Sequence, residues 1–296
     1  MKKKRSGNRT VTLIVVFLCV ALVFAAIWGI VTGFAKLMHY GENTMIQQEP
    51  VAEETLPEEM IAPEEQQDVL PKNQFYADKF YEHNGIRYYS DEKIEGVPGI
   101  DVSSYQPMID WQQVRDAGIE FVMLRVGYRG YTSGELTMDK DFASHLAGAT
   151  EAGLDLGIYF FSQALTPEEA VEEAEYVLEC VDGLELAYPI YFDWEEVQAE
   201  ARTDEMNMLM LTSCALAFCE RIEQAGYRAG IYFNQAYGYQ QLNLVSLKDY
   251  DFWLAEYDAV PTFAYDVQMW QYTDQGAVPG IDGNVDLNIA FRMKEE

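Results

Sequence analysis

The chain has 296 residues, and its 49 acidic side chains against 20 basic ones give a formal net charge of −29. Every acidic residue lies beyond residue 40, so the bulk of the chain is strongly negative and repels phosphate backbones and anionic lipid faces, which argues against a nucleic-acid partner. His39, His83 and His145 are too scattered for a metal cluster, no zinc-like cysteine spacing occurs, and no GxGxxG or P-loop offers a nucleotide site, so no cofactor is expected.

Residues 1–10 form a basic tail with Lys2, Lys3, Lys4, Arg5 and Arg9. Residues 11–35 follow as an uncharged apolar run. A bilayer span needs about 20 residues, whereas the core of a cleavable signal peptide has about 7–15, so the length favours an uncleaved transmembrane helix. Ala21, Ala25 and Ala26 keep cleavage open as the alternative. The basic cluster on the amino side places the N-terminus in the cytoplasm and the rest of the chain outside the cell membrane, as a single-pass protein. Residues 36–74 are a linker. Its stretch 41–71 carries nine acidic residues, no basic one and four prolines, a composition that predicts disorder. As a flexible coil, such a tether would span roughly 33 Å.

Residues 75–97 read as a lead-in segment, in which Asn84-Gly85 predicts a small hairpin between Tyr76 and Tyr89. Residues 98–296 then alternate strands with helices. A strand is expected over 121–126, a helix over 139–152 and a strand over 155–161. Thr166-Pro167-Glu168-Glu169 opens the next helix with a cap, a first-position proline and a capping-box glutamate. Its apolar face is Ala170, Ala174, Val177, Leu178 and Val181. A buried strand over 188–192 runs into Asp193-Trp194-Glu195. A long helix over 204–225 stops at Gly226, a strand follows over 228–233, and short strands over 252–255 and 267–271 have no full helix between them. Repeated strand–helix units with apolar strands give an α/β fold with a parallel sheet covered by helices. This rhythm suits an irregular TIM-like β/α barrel, with an open doubly wound sheet as the alternative. Cys19 lies in the apolar run; Cys214 and Cys219, five apart on a helix, face different directions and read with Cys180 as free thiols, although Cys180 could pair with one of them.

In such a barrel the site lies at the carboxyl ends of the strands. Asp101, Tyr159, Asp193, Glu195 and Tyr232 fall there, and Asp286 ends the last apolar run. Side chains on a strand alternate faces, so Asp193 and Glu195 share one side while Trp194 points to the layer between barrel and helices. Two acids on one face repel each other and are costly to desolvate together. Glycoside hydrolysis uses such a pair, one carboxyl protonated to donate to the leaving oxygen and one charged beside the sugar centre. Aromatic rings among the acids suit the apolar faces of sugars.

The run Gly99-Ile100-Asp101-Val102-Ser103-Ser104-Tyr105-Gln106, then Ile109-Asp110-Trp111, resembles the opening of the family 25 glycoside hydrolases, the Chalaropsis-type lysozymes or N-acetylmuramidases. The segments 121–127, 157–161, Asp193-Trp194-Glu195, Trp253-Leu254-Ala255, Trp270-Gln271-Tyr272 and 283–288 follow in the family's order, so the resemblance covers about residues 98–291. It implies a flattened β/α barrel with a groove for peptidoglycan glycan strands, and cleavage of the β-1,4 bond between N-acetylmuramic acid and N-acetylglucosamine. Carried over by motif position, Glu195 would be the general acid and then the base, and Asp193 would orient and polarise the 2-acetamido group, itself the nucleophile. Asp101 and Asp286 would flank the cleft and tune the charge of the pair. Tyr159, Tyr232, Gln271 and Trp253 would contact substrate.

Three rival readings remain. A chitinase-like family 18 hydrolase also carries Asp-Trp-Glu, but places further aspartates upstream on the same strand, where residues 188–192 have none. A non-catalytic wall-binding module would not need the proton donor. A scaffold of a membrane-associated complex could carry the barrel for other ends, with protein partners that the residues do not identify.

Overall fold

The computed structural model describes residues 70–294. The expected basic tail, transmembrane helix and most of the acidic linker lie outside the described residues. Among those described, no helix is long and apolar enough to cross a membrane.

The Asn84-Gly85 pair takes positive φ at both residues, 53° and 79°, as a two-residue hairpin turn requires. It joins β1 (Phe80–His83) to β2 (Ile86–Ser90). The chain continues through β3 (Ile94–Val102), α1 (Trp111–Asp116), β4 (Phe121–Arg129), β5 (Leu136–Met138), α2 (Phe142–Glu151), β6 (Asp155–Ser162) and α3 (Pro167–Cys180). It ends with β7 (Ile190–Trp194), α4 (Met208–Gln224), β8 (Ala229–Asn234), α5 (Gln235–Gln240), β9 (Asp251–Ala255), β10 (Met269–Gly276) and β11 (Val285–Met293). Strands β3, β4, β6, β7, β8, β9 and β10 are parallel neighbours in that order, and β11 closes the ring between β10 and β3. The sheet is thus a closed barrel of eight strands, not an open doubly wound sheet. It is irregular because β11 runs antiparallel to both neighbours.

Two differences from the expected elements have identifiable physical causes. The long helix begins at Met208 rather than near residue 204, because the Asn207 side chain accepts from the Met210 N–H and caps it there. Asp286 stands near the start of a strand, not at the end of an apolar run. Since β11 is antiparallel, its beginning lies at the same barrel end as the carboxyl ends of the other strands, and Asp286 pairs in register with Asp101. The helix after Thr166 forms as expected, with the Thr166 side chain accepting from Glu169 N–H while the Glu169 carboxylate reaches back to Leu165 N–H.

The sheet separates two apolar layers. Ile190, Phe192 and Trp194 point outward and pack with helix residues such as Phe218 and Val177, whereas Phe121, Met123, Tyr191 and Trp253 fill the barrel interior. Gly99 makes room for that filling, since any side chain there would run into the Phe121 ring. Cys180 is half-buried, Cys214 and Cys219 are buried, and all three thiols are free.

The lead-in is joined to the barrel sheet. β2 pairs with β3, and Phe75, Phe80 and Tyr89 form an aromatic cluster with Phe291 and Trp270, the Phe75 and Phe291 rings stacked at 3.9 Å. Upstream, the Asn73 side chain donates to the carbonyls of Pro261 and Phe263. Burying one large apolar side chain contributes about 1.5–3 kcal/mol. A chain starting at residue 92 keeps all of β3 but loses three such rings, so its melting temperature should fall by about 10 °C or more relative to one starting at residue 70, at about 2–4 °C per kcal/mol. Differential scanning calorimetry of the two chains checks this.

Candidate active site

The carboxyl ends of the parallel strands surround a cavity of about 650 Å³. Asp101 from β3, Tyr159 from β6, Asp193 from β7, Tyr232 from β8, Trp253 from β9, Gln271 from β10 and Asp286 from β11 all line it, as does Glu195 one residue past β7. All eight residues expected at the site therefore meet at one barrel end. Beyond Glu195 the surface continues into a second hollow of about 290 Å³ bounded by Asn234, Tyr237 and Tyr257.

The floor is a hydrogen-bonded amide–acid network. The Gln271 Nε2 and Asn288 Nδ2 groups both donate to Asp101 Oδ2, at 2.9 and 2.8 Å. The Asn288 carbonyl in turn accepts from Trp253 Nε1 at 2.9 Å. Gln271 Oε1 accepts from the hydroxyls of Tyr232 and Tyr257, at 3.1 and 2.9 Å. Trp253 is only 1% exposed and sits among the ring edges of Tyr159, Tyr191 and Tyr232. It therefore supports the tyrosines from below rather than offering an open face to a sugar.

The acids perturb one another. Burial raises the Asp101 carboxyl above its ordinary range, although hydrogen bonds from Asn288, Gln271 and Asp286 work against that rise. Burial and the neighbouring Asp101 charge push Asp286 up to about 9, so this carboxyl favours its neutral form beside Asp101. Asp193 is 6% exposed, and burial together with the charges of Glu195 and Asp101 raises it well above the carboxylate range. Its Oδ1 has no hydrogen-bond partner in the protein. Glu195 is half-buried; burial raises it, the Asp101 charge adds to the rise, and a hydrogen bond with Tyr232 opposes it.

Several cavity residues escape the reading of motifs. Arg125 projects from β4 into the acidic cavity, held by Asp139 through Nε at 2.9 Å and Nη2 at 2.7 Å, and it opposes the rise at Asp193. A charged residue in the apolar run Val122-Met123-Leu124-Arg125-Val126 was the available signal. Asp139, expected to open a helix, instead accepts from Ser104 N–H and Asp141 N–H and anchors Arg125. Tyr105, Tyr131 and Tyr257 line the cavity at 82%, 44% and 55% exposure and supply its open aromatic surface. Trp194 faces away, buried against Tyr237 with ring centroids 5.5 Å apart, as alternation along the strand predicts. Among the described residues no group of histidine, cysteine and acid side chains could hold a metal ion.

The family model described as Glycosyl hydrolases family 25 matches residues 100–281, a span that contains Asp101, Asp193 and Glu195. The autolytic lysozyme of Clostridium acetobutylicum is 28% identical over 191 residues, which cover 64% of this chain and 54% of that protein. The chain thus spans about half the length of that relative. Among solved structures, the modular autolysin LytC from Streptococcus pneumoniae in complex with a synthetic peptidoglycan ligand matches with a TM-score of 0.58 at 25% identity, over 71% of this chain and 51% of that one. The bacterial lysozyme from Streptomyces coelicolor shares the fold with a TM-score of 0.54 at 24% identity, over 68% of this chain and 93% of that one.

The raised Asp193 carboxyl makes stability depend on pH. An unfolded Asp titrates near about 3.9. Because the folded value is raised, the native state binds a proton that the unfolded state releases, and the stability present below pH ~4 is lost as pH rises through the folded value. Asp193→Asn removes that loss. Its melting temperature should match the wild type near pH 4 and exceed it by several degrees at pH 7–8, which thermal denaturation across that range would test.

Proposed function

Because the chain belongs to glycosyl hydrolases family 25, we propose that it hydrolyses peptidoglycan, cutting the β-1,4 bond between N-acetylmuramic acid and N-acetylglucosamine. The observation that carries this reading is the unpartnered Oδ1 of buried Asp193 beside Glu195 in a single cavity. A buried carboxyl oxygen without a hydrogen-bond partner is costly, and an acetamido N–H of the substrate supplies one.

The chemistry follows from that pairing. Before substrate binds, burial and like charge favour the protonated forms of Asp193 and Glu195. An N–H donated to Asp193 favours its anion, so Asp193 releases its proton to solvent as substrate binds, and the other proton stays on Glu195, the more accessible member. Glu195 gives that proton to the glycosidic oxygen as the C1–O bond breaks. The acetamido oxygen attacks C1 while Asp193 takes the hydrogen bond, and then the proton, of the acetamido nitrogen. A water then attacks C1, losing its proton to Glu195 as the ring opens and Asp193 returns the nitrogen proton. This is the substrate-assisted exception to the two-carboxylate scheme. Asp286, held toward its neutral form by burial and the Asp101 charge, limits the negative charge below the pair. Tyr105, Tyr131 and Tyr257 provide rings for the apolar faces of the glycan.

We further propose that residues 11–35 anchor the protein in the cell membrane with the barrel outside, so that it acts on wall close to the membrane surface. Sequence supports this through the uncharged run and its basic flank. The full chain should then fractionate with membranes and resist salt extraction, whereas a chain lacking residues 1–40 should be released; recovery of both in the soluble fraction would refute the anchor.

Digestion of purified peptidoglycan by residues 70–296 tests the activity, read by mass and by reducing-end analysis. New reducing ends on muramic acid are expected, with Glu195→Gln lowering turnover by at least ~10³-fold while the fold is kept. Reducing ends on glucosamine would mean the other linkage is cut. Wall binding without products, in wild type and variant alike, would establish the non-catalytic module.

A further inference from the structure

The sheet stops one residue short of the proposed proton donor. In the parallel β6–β7 pair the last registered residues are Ser162 and Trp194, and residues 195–207 form neither helix nor strand. Backbone ladder bonds therefore end where accuracy at Glu195 matters most. The next residue on each strand is Gln163 and Glu195, and a side chain takes over there: Gln163 Nε2 donates to the Glu195 carbonyl at 3.1 Å. Gln163 is completely buried, and Thr203, itself buried, donates its hydroxyl to Gln163 Oε1 at 2.7 Å. That bond fixes which end of the amide faces Glu195.

Behind Gln163 stands a buried ion pair. Glu173 accepts from the Gln163 N–H at 3.3 Å, from the Ser162 hydroxyl at 2.6 Å and from Arg129 Nε at 2.7 Å. Arg129 also donates to the carbonyls of Gly134 and Glu169. In front, Glu196 N–H donates to the Tyr237 hydroxyl at 3.3 Å. The Glu195 carbonyl and the Glu196 N–H belong to one planar peptide unit. Gln163 and Tyr237 thus grip the two polar ends of the same rigid plate, immediately after the Glu195 Cα.

We propose that Gln163 and Tyr237 form a peptide clamp that sets the backbone torsion of Glu195 and so aims its carboxyl at the scissile oxygen, with Gln163 as the principal positioning residue. The clamp rests on the proposed role of Glu195 as proton donor. Neither residue needs to touch the reacting atoms for it to act. A group displaced by about 1 Å from its reacting partner loses on the order of 10²-fold in rate, so the effect of releasing the plate should fall on turnover more than on binding.

The test uses Gln163→Met, which keeps volume and removes the amide, and Tyr237→Phe, which removes only the hydroxyl. On peptidoglycan fragments, Gln163→Met should lower kcat by about 10–100-fold with KM changed by less than about 3-fold, and Tyr237→Phe should lower it less. Because both act on one peptide unit, the double variant should lose less than the product of the two single losses. In parallel, carboxyl-carbon NMR should show a shifted Glu195 titration in Gln163→Met, and the Glu196 amide should exchange faster. A folded Gln163→Met with unchanged kcat and an unchanged Glu195 titration would overturn the clamp. So would a loss carried by KM alone. If Gln163→Met fails to fold, Tyr237→Phe and Thr203→Val decide the same question, since Thr203→Val frees the amide to turn over. An inactive wild type would refute the proposed function, while the Glu195 titration and Glu196 exchange would still decide the clamp.

Discussion

The site depends on how an antiparallel eighth strand closes the ring. β11 brings Asp286 into register with Asp101 and delivers Asn288 beneath them, and Asn288 and Gln271 donate two amide N–H bonds to a single Asp101 oxygen. A carboxylate fully withdrawn from water is costly unless such donors replace the lost hydration. With Asp101 held this way, its charge becomes a fixed feature of the floor, and it acts on Asp193, Glu195 and Asp286 together. A parallel strand at that place would present its start at the opposite end of the barrel, and neither Asp286 nor Asn288 could reach the cavity.

The two apolar layers make this concentration of charge tolerable. The interior of the barrel is not open. Phe121, Met123, Tyr191 and Trp253 fill it up to the level of the acids, and the outer aliphatic layer locks the strands to the helices. The acids therefore sit on a packed support with little freedom to move apart. Mutual repulsion then has one available relief, which is to keep protons, and this is the property that a proton-donating site needs. The same packing explains why the tyrosines at strand ends serve two purposes. Tyr232 shields Trp253 with its ring and directs its hydroxyl to Gln271.

Much of this was legible in the sequence, and for physical reasons. The alternation of side chains on a strand placed Asp193 and Glu195 inward and Trp194 outward, because that rule is geometric and local. Strand ends in a barrel of parallel strands share one face, so Tyr159, Tyr232 and Asp101 could be collected from apolar runs alone. What the sequence hid was non-local. The direction of β11 depends on pairing with β3, nearly two hundred residues away, so Asp286 read as an end when it is a beginning. Arg125 on β4 and Asp139 in the connection after β5 meet only through the fold. Tyr257 lies in a loop with no periodicity to mark it. The helix start near residue 204 was misplaced because several polar residues could cap, and only Asn207 does.

The reversed strand also decides where the chain departs. β11 descends away from the cavity and leaves Lys294 beside the start of β3, where its N–H donates to the Lys93 carbonyl and its ammonium reaches Ser90. Upstream, residues 71–73 lie against the segment 264–266 that feeds the start of β10. Entrance and exit are thus neighbours on the pole opposite the cavity. In the language of protein engineering, the barrel is a plug-in cartridge: cargo fused at residue 70 or residue 294 leaves the mouth unobstructed.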